Sequence, residues 1–573
     1  MREIRGIAAA PGIAVGPIYK YAADAVELEV RRVSDVDGEW RRLTTALKAA
    51  IEQLRAVREK AMMSTGADSA AIFEAQAAML ADPELLAVCR KELESRRVNV
   101  EVPWRDAVEH FAISLEALES DYLRARAADV RDVGERVLRL LTNGQQDAPS
   151  LRRPSIVVAE DLTPSDTVML DKALVLGFCT AGGGATSHTA ILARGLGMPA
   201  VVGAGSSLMS VSDGATAVVN GDDGFLLVDP EPEVVTHWEA QRLMRVGLTA
   251  EAHALCWEPA VTRDGRRVEV VANIGNIDDA RTAVANGAEG VGLLRTEFLY
   301  LERQTLPDEA EQAKAYGSIL DVFGSQPVVL RTLDIGGDKA IPYLNLPTES
   351  NPFLGVRGLR LCLRRPDLFK PQLRAALRAS AGHNLKIMFP MVTAIDEVRA
   401  ARQMLDSCRE ELHREEKPVA QEIEVGIMVE VPAAAIMAEV FAPHVDFFSI
   451  GTNDLTQYAL AADRTNPALA SLASAFSPAV FTLIDWVIQA AHRHGKWVGV
   501  CGELAGEPLA LPILLGLELD EFSTNSPAIP LAKQVLRQLT TAECRDLARR
   551  ALLLGNSQEV QRLVQEDLPW IKT

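Results

Sequence analysis

The sequence predicts a multidomain α/β protein. A (β/α)8 barrel forms its C-terminal part, an α/β domain its N-terminal part, and an all-helical domain is inserted into the latter. Three observations carry this. From residue 261 onward, eight short apolar runs alternate with helical stretches, the pattern of eight βα units. Between about 35 and 143, apolar residues recur at helical spacing instead. Residues 153–229 mix short apolar runs with turn signals, and a further β segment opens the chain.

Residues 1–20 read as a β segment turned at Pro11-Gly12. It is expected to complete the sheet of the later α/β region, so that the helical module interrupts that domain. The predicted boundaries are 1–20 plus 144–230 for the α/β domain and 21–143 for the helical insertion, followed by a linker over 231–260 and the barrel over 261–573. In the insertion, Leu43, Leu47, Ile51, Leu54 and Val57 share one helix face, and Trp104, Val108, Phe111, Leu115 and Leu118 another. Asp82-Pro83 and Val102-Pro103 punctuate helices, giving four or five in all. Ile156–Ala159 and Leu174–Phe178 read as strands, and Thr216–Val219 with Gly224–Val228 as a hairpin about Asn220-Gly221-Asp222-Asp223. A polar helical connector covers 231–255. The barrel strands are predicted at Val268–Asn273, Gly290–Arg295, Val328–Arg331, Leu385–Pro390, Val425–Glu430, Val445–Ile450, Trp497–Cys501 and Leu519–Ser523.

Composition narrows the function. The chain has 573 residues, 48% hydrophobic and 24% charged, which is incompatible with wholesale disorder. Its formal charge of −19 disfavours nucleic acid and anionic membranes as partners, so an anionic substrate must be met by local basic groups. The seven cysteines are scattered without a CxxC pair, which argues against a disulfide framework or structural zinc and suits a reducing cytoplasm. The start, broken by Pro11-Gly12, does not resemble a signal peptide, and no run approaches 18 apolar residues, so no membrane insertion is expected.

Two constellations carry chemistry. Gly182-Gly183-Gly184-Ala185-Thr186-Ser187-His188 follows a strand and opens a helix. Glycines let backbone amides approach an anion, Thr and Ser cap the helix, and a neutral His188 there can attack phosphorus. In the barrel, Arg295, Arg331, Glu430, Asn453-Asp454 and Cys501 directly follow their strands, where a barrel's active site gathers. Arginines from adjacent strand ends suit bidentate grip of phosphate or carboxylate. Glu430 and Asp454 supply two carboxylates, a number that suits Mg²⁺. Arg464 follows ten residues after Asp454. The bland alternatives are a merely capped helix at His188 and ions that pair with one another to close the barrel top.

These motifs resemble a known family. The His188 loop, with Asp161-Leu162-Thr163-Pro164-Ser165 before it and Leu196-Gly197-Met198-Pro199-Ala200-Val201-Val202-Gly203 after it, resembles the phosphohistidine domain of enzyme I. Enzyme I is the phosphoenolpyruvate–protein phosphotransferase family of the bacterial sugar phosphotransferase system. Gly6-Ile7-Ala8-Ala9-Ala10-Pro11-Gly12 resembles the family's opening, and the likeness covers essentially the whole chain. It implies that His188 takes a phosphoryl group on Nε2. It further implies that Arg295, Arg331 and Arg464, with Asn453-Asp454, bind phosphoenolpyruvate, and that Glu430 and Asp454 hold Mg²⁺. The family places the proton donor for the enolate at Cys501, a residue whose ordinary reading is a small buried hydrophobe.

The resemblance also implies docking of the phosphocarrier protein HPr on the inserted helical domain, where Ala71 to Leu80 and Arg126 match family segments, and a homodimer formed through the barrel. Arg357 matches a loop near the site. Enteric members carry arginine where this loop has Ala185, so charge compensation must come from elsewhere, such as Arg194. Two alternatives stay open: a nitrogen-related enzyme I, and a dikinase- or synthase-like phosphotransferase lacking its nucleotide domain. No GxxxxGK[ST] loop appears, and no extra N-terminal sensory domain, which leans towards the sugar branch. A regulatory scaffold with an inactive barrel would lose metal or arginine positions, and here all are present.

Overall fold

The computed structural model describes the chain apart from residues 22–27, 65–72, 74–75, 117–120, 143–150, 163–169, 185–186, 302, 304, 337–340, 345, 348, 464–465, 467–468, 470–471 and 572–573. For 58–64, 116, 121–126, 128, 172, 188, 191, 195, 249 and 342 it describes the backbone alone. The chain divides into two compact units, Met1–Val246 and Gly247–Thr573.

In the first unit eight strands form one mixed sheet. They are β1 (Arg2–Arg5), β2 (Ile7–Ala10), β3 (Ile13–Tyr21), β4 (Ser155–Ala159), β5 (Val175–Thr180), β6 (Ala200–Val202), β7 (Thr216–Asn220) and β8 (Phe225–Val228), in the order β1-β8-β7-β3-β4-β5-β6-β2. The N-terminal segment therefore joins the sheet as three strands rather than one. A side chain at Gly6 would lie 2.6 Å from the Val202 carbonyl, and Gly12 sits at φ 127°, so the chain breaks at both points. Strands β3 to β6 run parallel and β7–β8 form the antiparallel hairpin expected from the sequence.

Between β3 and β4 come the helices α1 (Val36–Ser64), α2 (Pro83–Arg96), α3 (Glu101–Glu116) and α4 (Asp121–Leu141). Asp82 caps α2 with its carboxylate, and Pro83 occupies the first helical position, where its missing N–H costs nothing. Leu43, Leu47, Leu54, Trp104 and Val108 fill the module's core, and Ile51, Val57, Phe111 and Leu115 pack on its margin. Gly134 lets α4 approach α3: a Cβ there would stand 2.4 Å from Val108, and Trp104 Nε1 donates to the Gly134 carbonyl at 2.9 Å. Phe73 and Leu80 are buried in this core and Met79 packs against it, so the apolar stripe over 71–80 faces inward where it is described. After β6–β8, helix α5 having been set between β5 and β6 (His188–Leu196), helix α6 (Pro232–Ala254) leads out of the unit.

The second unit begins with the short β9 (Ala260–Val261) and closes a barrel of eight parallel strands. These are β10 (Arg267–Ile274), β11 (Val291–Leu294), β12 (Val328–Arg331), β13 (Leu385–Phe389), β14 (Val425–Val429), β15 (Phe447–Ile450), β16 (Trp497–Val500) and β17 (Glu521–Asn525). Closure is completed by β10, which pairs with both β11 and β17. Strands β11, β14 and β16 are apolar throughout, and every residue of β11, β12, β14 and β15 is buried, as parallel strands under helices require. Their outward residues build one large core with the helices, while Leu293, Val329, Met388, Met428, Phe447 and Cys501 form a separate cluster inside the barrel. All seven cysteines are unpaired and buried. Among the described residues no helix is long and apolar enough to cross a membrane.

Candidate active site

In the first unit, β5 ends at Thr180 and the glycine-rich loop leads to α5, whose first residue is His188. Ser187 caps the helix, its hydroxyl accepting from the Ala190 amide at 3.4 Å. The loop is tied at several points. The Gly182 amide donates to Glu160 O at 2.7 Å, the Gly203 amide to Gly182 O at 2.9 Å, and Thr180 Oγ1 also donates to Gly182 O at 2.8 Å. Gly183 takes φ 87°, a conformation that favours glycine. His188 thus starts in the first turn, where the helix dipole favours an anion. Its side chain, Ala185 and Thr186 lie outside the described residues. Arg194 stands in the last turn of α5, about 9 Å along the axis from His188.

In the barrel, one cavity of about 770 Å³ opens at the C-terminal strand ends. It brings together Arg295, Arg331, Glu430, Asn453, Asp454 and Cys501; Arg464 lies outside the described residues. Arg295 is exposed at the mouth, whereas Arg331 is buried. Two acids fix Arg331: Nη2 reaches Glu297 at 3.1 Å and Nη1 reaches Asp334 at 3.2 Å. Its Nε finds no hydrogen-bond partner among the described residues. Arg357 holds the other side of Asp334 through Nε and Nη2, both at 3.0 Å, and grips Asp454 at 2.9 and 3.2 Å. Burial works against both guanidinium charges, yet these carboxylates outweigh it and hold both arginines above their ordinary pKa. Asn453 is pinned from the next strand, its Oδ1 accepting from the Glu503 amide at 3.1 Å.

Glu430 is buried, and one oxygen accepts from the Met391 amide at 2.6 Å. Met391 adopts φ 55°, rare for a side chain of this kind, and that turn aims its N–H at the carboxyl. Burial, then the charges of Asp334 and Asp454, push Glu430 up to about 8. The buried cluster therefore holds four carboxyls, Glu297, Asp334, Glu430 and Asp454, against the two guanidiniums of Arg331 and Arg357. That surplus of negative charge, with Glu430 and Asp454 both at the cavity wall, fits a divalent cation, which usually takes one or two protein carboxylates and completes its shell with substrate oxygens and water.

Cys501 faces the same cavity and is 3% exposed. Burial pushes its thiol up to about 11, against the opposing pull of the Ser449 hydroxyl and the Arg331 charge. The thiol therefore keeps its proton at neutral pH. Glu297 and Asp334 were not singled out by sequence reasoning. The available signal is that a strand-end arginine buried in a barrel demands acids of its own, and both lie within three residues of Arg295 or Arg331.

Three family models match the chain: "PEP-utilising enzyme, N-terminal" over residues 5–126, "PEP-utilising enzyme, mobile domain" over 151–224, and "PEP-utilising enzyme, PEP-binding domain" over 249–541. Among curated relatives, the phosphoenolpyruvate-protein phosphotransferase of Bacillus sp. (strain S) is 48% identical over 98% of both chains. The protein of the same name from Geobacillus stearothermophilus is likewise 48% identical over 98% of each chain. That of Bacillus subtilis (strain 168) is 44% identical over 99% of this chain and 100% of its own.

Proposed function

The chain belongs to the PEP-utilising enzymes, in the phosphoenolpyruvate–protein phosphotransferase family, and on that premise we propose that it passes the phosphoryl group of phosphoenolpyruvate through His188 to the phosphocarrier protein HPr, releasing pyruvate as the first step of sugar uptake. The observation that carries this reading is the barrel cavity, where buried arginines, two carboxyls and a protonated thiol meet at the strand ends. A trianionic substrate needs fixed cations, and an enolate product needs an acid; this cavity supplies both.

Arg295, Arg331 and Arg464 receive the phosphate and carboxylate, with the Asn453-Asp454 segment orienting them. Arg331 is held by Glu297 and Asp334 before substrate arrives, so little side-chain entropy is lost on binding. Glu430 and Asp454 would hold Mg²⁺, which when bound neutralises charge on the transferring phosphoryl group. His188 attacks phosphorus from the first turn of α5, and the loop amides and the helix N-terminus favour the phosphoimidazole. As the enolate leaves, Cys501 gives its proton to the terminal carbon. The helical module α1–α4 receives HPr, the helix α6 serves as the joint between the units, the barrel pairs two copies, and the enzyme works in the cytoplasm.

The test uses labelled phosphoenolpyruvate, the purified protein and Mg²⁺, with HPr and then AMP added in turn. One acid-labile phosphoryl group per chain should form and move to HPr. Label that stays on the protein in the presence of HPr, or that moves to AMP, overturns this reading.

A further inference from the structure

One layer below the candidate site, the barrel interior holds polar groups with no evident structural return. Ser449 of β15, Gly499 of β16 and Glu521 of β17 are register partners across three adjacent strands. All three face inward, since Phe447 and Cys501, two residues from Ser449 and Gly499, belong to the interior cluster. Cys501 therefore stands directly above Gly499 on the same face. Glu521 is 4% exposed, and its Oε1 finds no hydrogen-bond partner among the described residues. Ser449 Oγ, buried as well, finds no nitrogen or oxygen partner there either. It lies against the Cys501 thiol and draws that thiol's pKa down.

Room for the carboxyl is kept by two glycines. A Cβ at Gly499 or at Gly292 would lie 2.7 Å from Glu521 Oε1, so the carboxyl occupies the space these two glycines leave, and Gly499 is also the register partner of Ser449. Leaving two buried oxygens unpaired costs stability that a methionine or alanine pair would avoid. Burial, then the charge of Glu269, push Glu521 up to about 8, so it carries a proton at neutral pH. Lys386 opposes this from β13, and Asp520, just before β17, and Glu424, just before β14, add to it. Lys386 is itself engaged, 2.9 Å from Glu424 and 4.4 Å over the Trp497 ring. A second path upward, from Ser523 to Asn273, ends on an amide. Asn273 accepts from Ser523 Oγ at 2.7 Å and donates to Cys501 O at 2.9 Å, which anchors the loop but moves no proton.

We propose that Glu521 stores a proton beneath the site and passes it through the Ser449 hydroxyl to Cys501, reloading the thiol from inside the barrel. This rests on the reading of Cys501 as the enolate's proton donor. The step balances without any change of oxidation state. The Sγ–H bond breaks as its proton joins the enolate carbon, leaving a thiolate. Ser449 gives its hydroxyl proton to Sγ and takes the carboxyl proton of Glu521 through one intervening water, since the two side chains make no hydrogen bond to each other. The Glu521 carboxylate then regains a proton from solvent at the N-terminal end of the barrel. Ser449 and Glu521 act only through Cys501.

The experiment compares two readouts in the full-length protein with Mg²⁺. One is pyruvate formed in a single turnover from phosphoenolpyruvate, which needs only the proton already on Cys501. The other is deuteration of the pyruvate methyl group in D₂O, which needs the thiol to be reloaded from solvent. Glu521→Gln and Ser449→Ala should form first-turnover pyruvate but deuterate it about tenfold more slowly, because the abstracted proton returns before it is exchanged. The infrared C=O intensity of protonated carboxylic acids at neutral pH should also fall in Glu521→Gln, leaving the contribution of Glu430. Native-rate deuteration in both variants overturns the relay. First-turnover loss equal to the deuteration loss overturns it too, assigning these residues to barrel structure. If Cys501→Ser keeps native rates in both assays, the donor reading itself falls.

Discussion

Asp334 is the joint of the buried ion network, and its removal gives the sharpest test of that network. The Asp334 side chain is 2% exposed and takes three charge-assisted contacts, from Arg331 at 3.2 Å and from Arg357 at 3.0 Å twice. At roughly 1.5–3 kcal/mol for each bond to a charged group, independent loss of the three would come to about 4.5–9 kcal/mol. Two features reduce that figure. Arg331 falls back on Glu297, and Arg357 on Asp454. Removing one of the clustered carboxyls also relieves repulsion at Glu430, whose pKa is raised first by burial and next by Asp334. Asp334→Ala should therefore destabilise the barrel by about 3–5 kcal/mol, the range for unpairing a buried charge. An exposed ion pair would cost below about 1 kcal/mol. Urea unfolding followed by tryptophan fluorescence, with Trp497 inside the barrel end as reporter, separates the two cases. A loss under about 1 kcal/mol would refute the network as drawn.

Three further outcomes are expected. His188→Ala should abolish acid-labile phosphorylation by phosphoenolpyruvate while calorimetric binding of the substrate persists; residual labelling of that variant would place the acceptor elsewhere. Glu430→Gln should raise the Mg²⁺ concentration needed for half-maximal phosphorylation by at least about tenfold, and an unchanged metal titration would make the carboxyl structural. His492, 2.8 Å from Asp520, has its pKa raised chiefly by that hydrogen bond. A raised folded-state pKa adds stability in full below the unfolded value of about 6.5 and loses it as pH climbs through the folded value. His492→Gln should flatten this part of the stability profile above about pH 6.5, and parallel profiles for both proteins would disprove the coupling.

The barrel was legible because buried parallel strands are apolar along their whole length, and that property is written locally. The eight predicted runs fall on the eight strands, with ends that differ by one or two residues in most cases. The exception in kind is the last strand, expected at Leu519–Ser523 and found at Glu521–Asn525. Its inward positions carry Glu521 and Ser523, so polarity masks the strand when only hydrophobic runs are sought. The N-terminal β segment was legible as β but not as three strands, since Gly6 yields to a carbonyl of β6 that lies about two hundred residues away in the chain. In the cavity, strand-end residues stood out one by one. What could not be seen was their pairing: Arg357 bridges Asp334 and Asp454 across separations of 23 and 97 residues. The stripe over 71–80 was ambiguous because a helix face buried in a small bundle and a face offered to a partner share one pattern.

If Glu430 and Asp454 hold a cation as proposed, the charge of the cavity gives a reason for cation and substrate to bind together. Burial and its acidic neighbours keep Glu430 largely protonated at neutral pH, so the carboxylates of Glu297, Asp334 and Asp454 face two buried guanidiniums, and this residual negative charge disfavours an anion such as phosphoenolpyruvate. The arginines do not resolve this alone, because their charge is already committed to Glu297, Asp334 and Asp454. Without those acids, however, two unpaired guanidiniums would have to be buried in the strand ends, a cost that the fold could not carry. The acids therefore make the arginines affordable and, in doing so, overshoot. A divalent cation held by Glu430 and Asp454, as proposed, would remove the overshoot, and a trianionic substrate would then meet a pocket whose guanidiniums are already oriented. On the proposed reading, each ligand improves the site for the other, and by linkage the gain must be mutual. On this reading a protein with a net charge of −19 captures an anion at one place, where exposed Arg295 marks the cavity mouth and a bound cation would offset the buried acids.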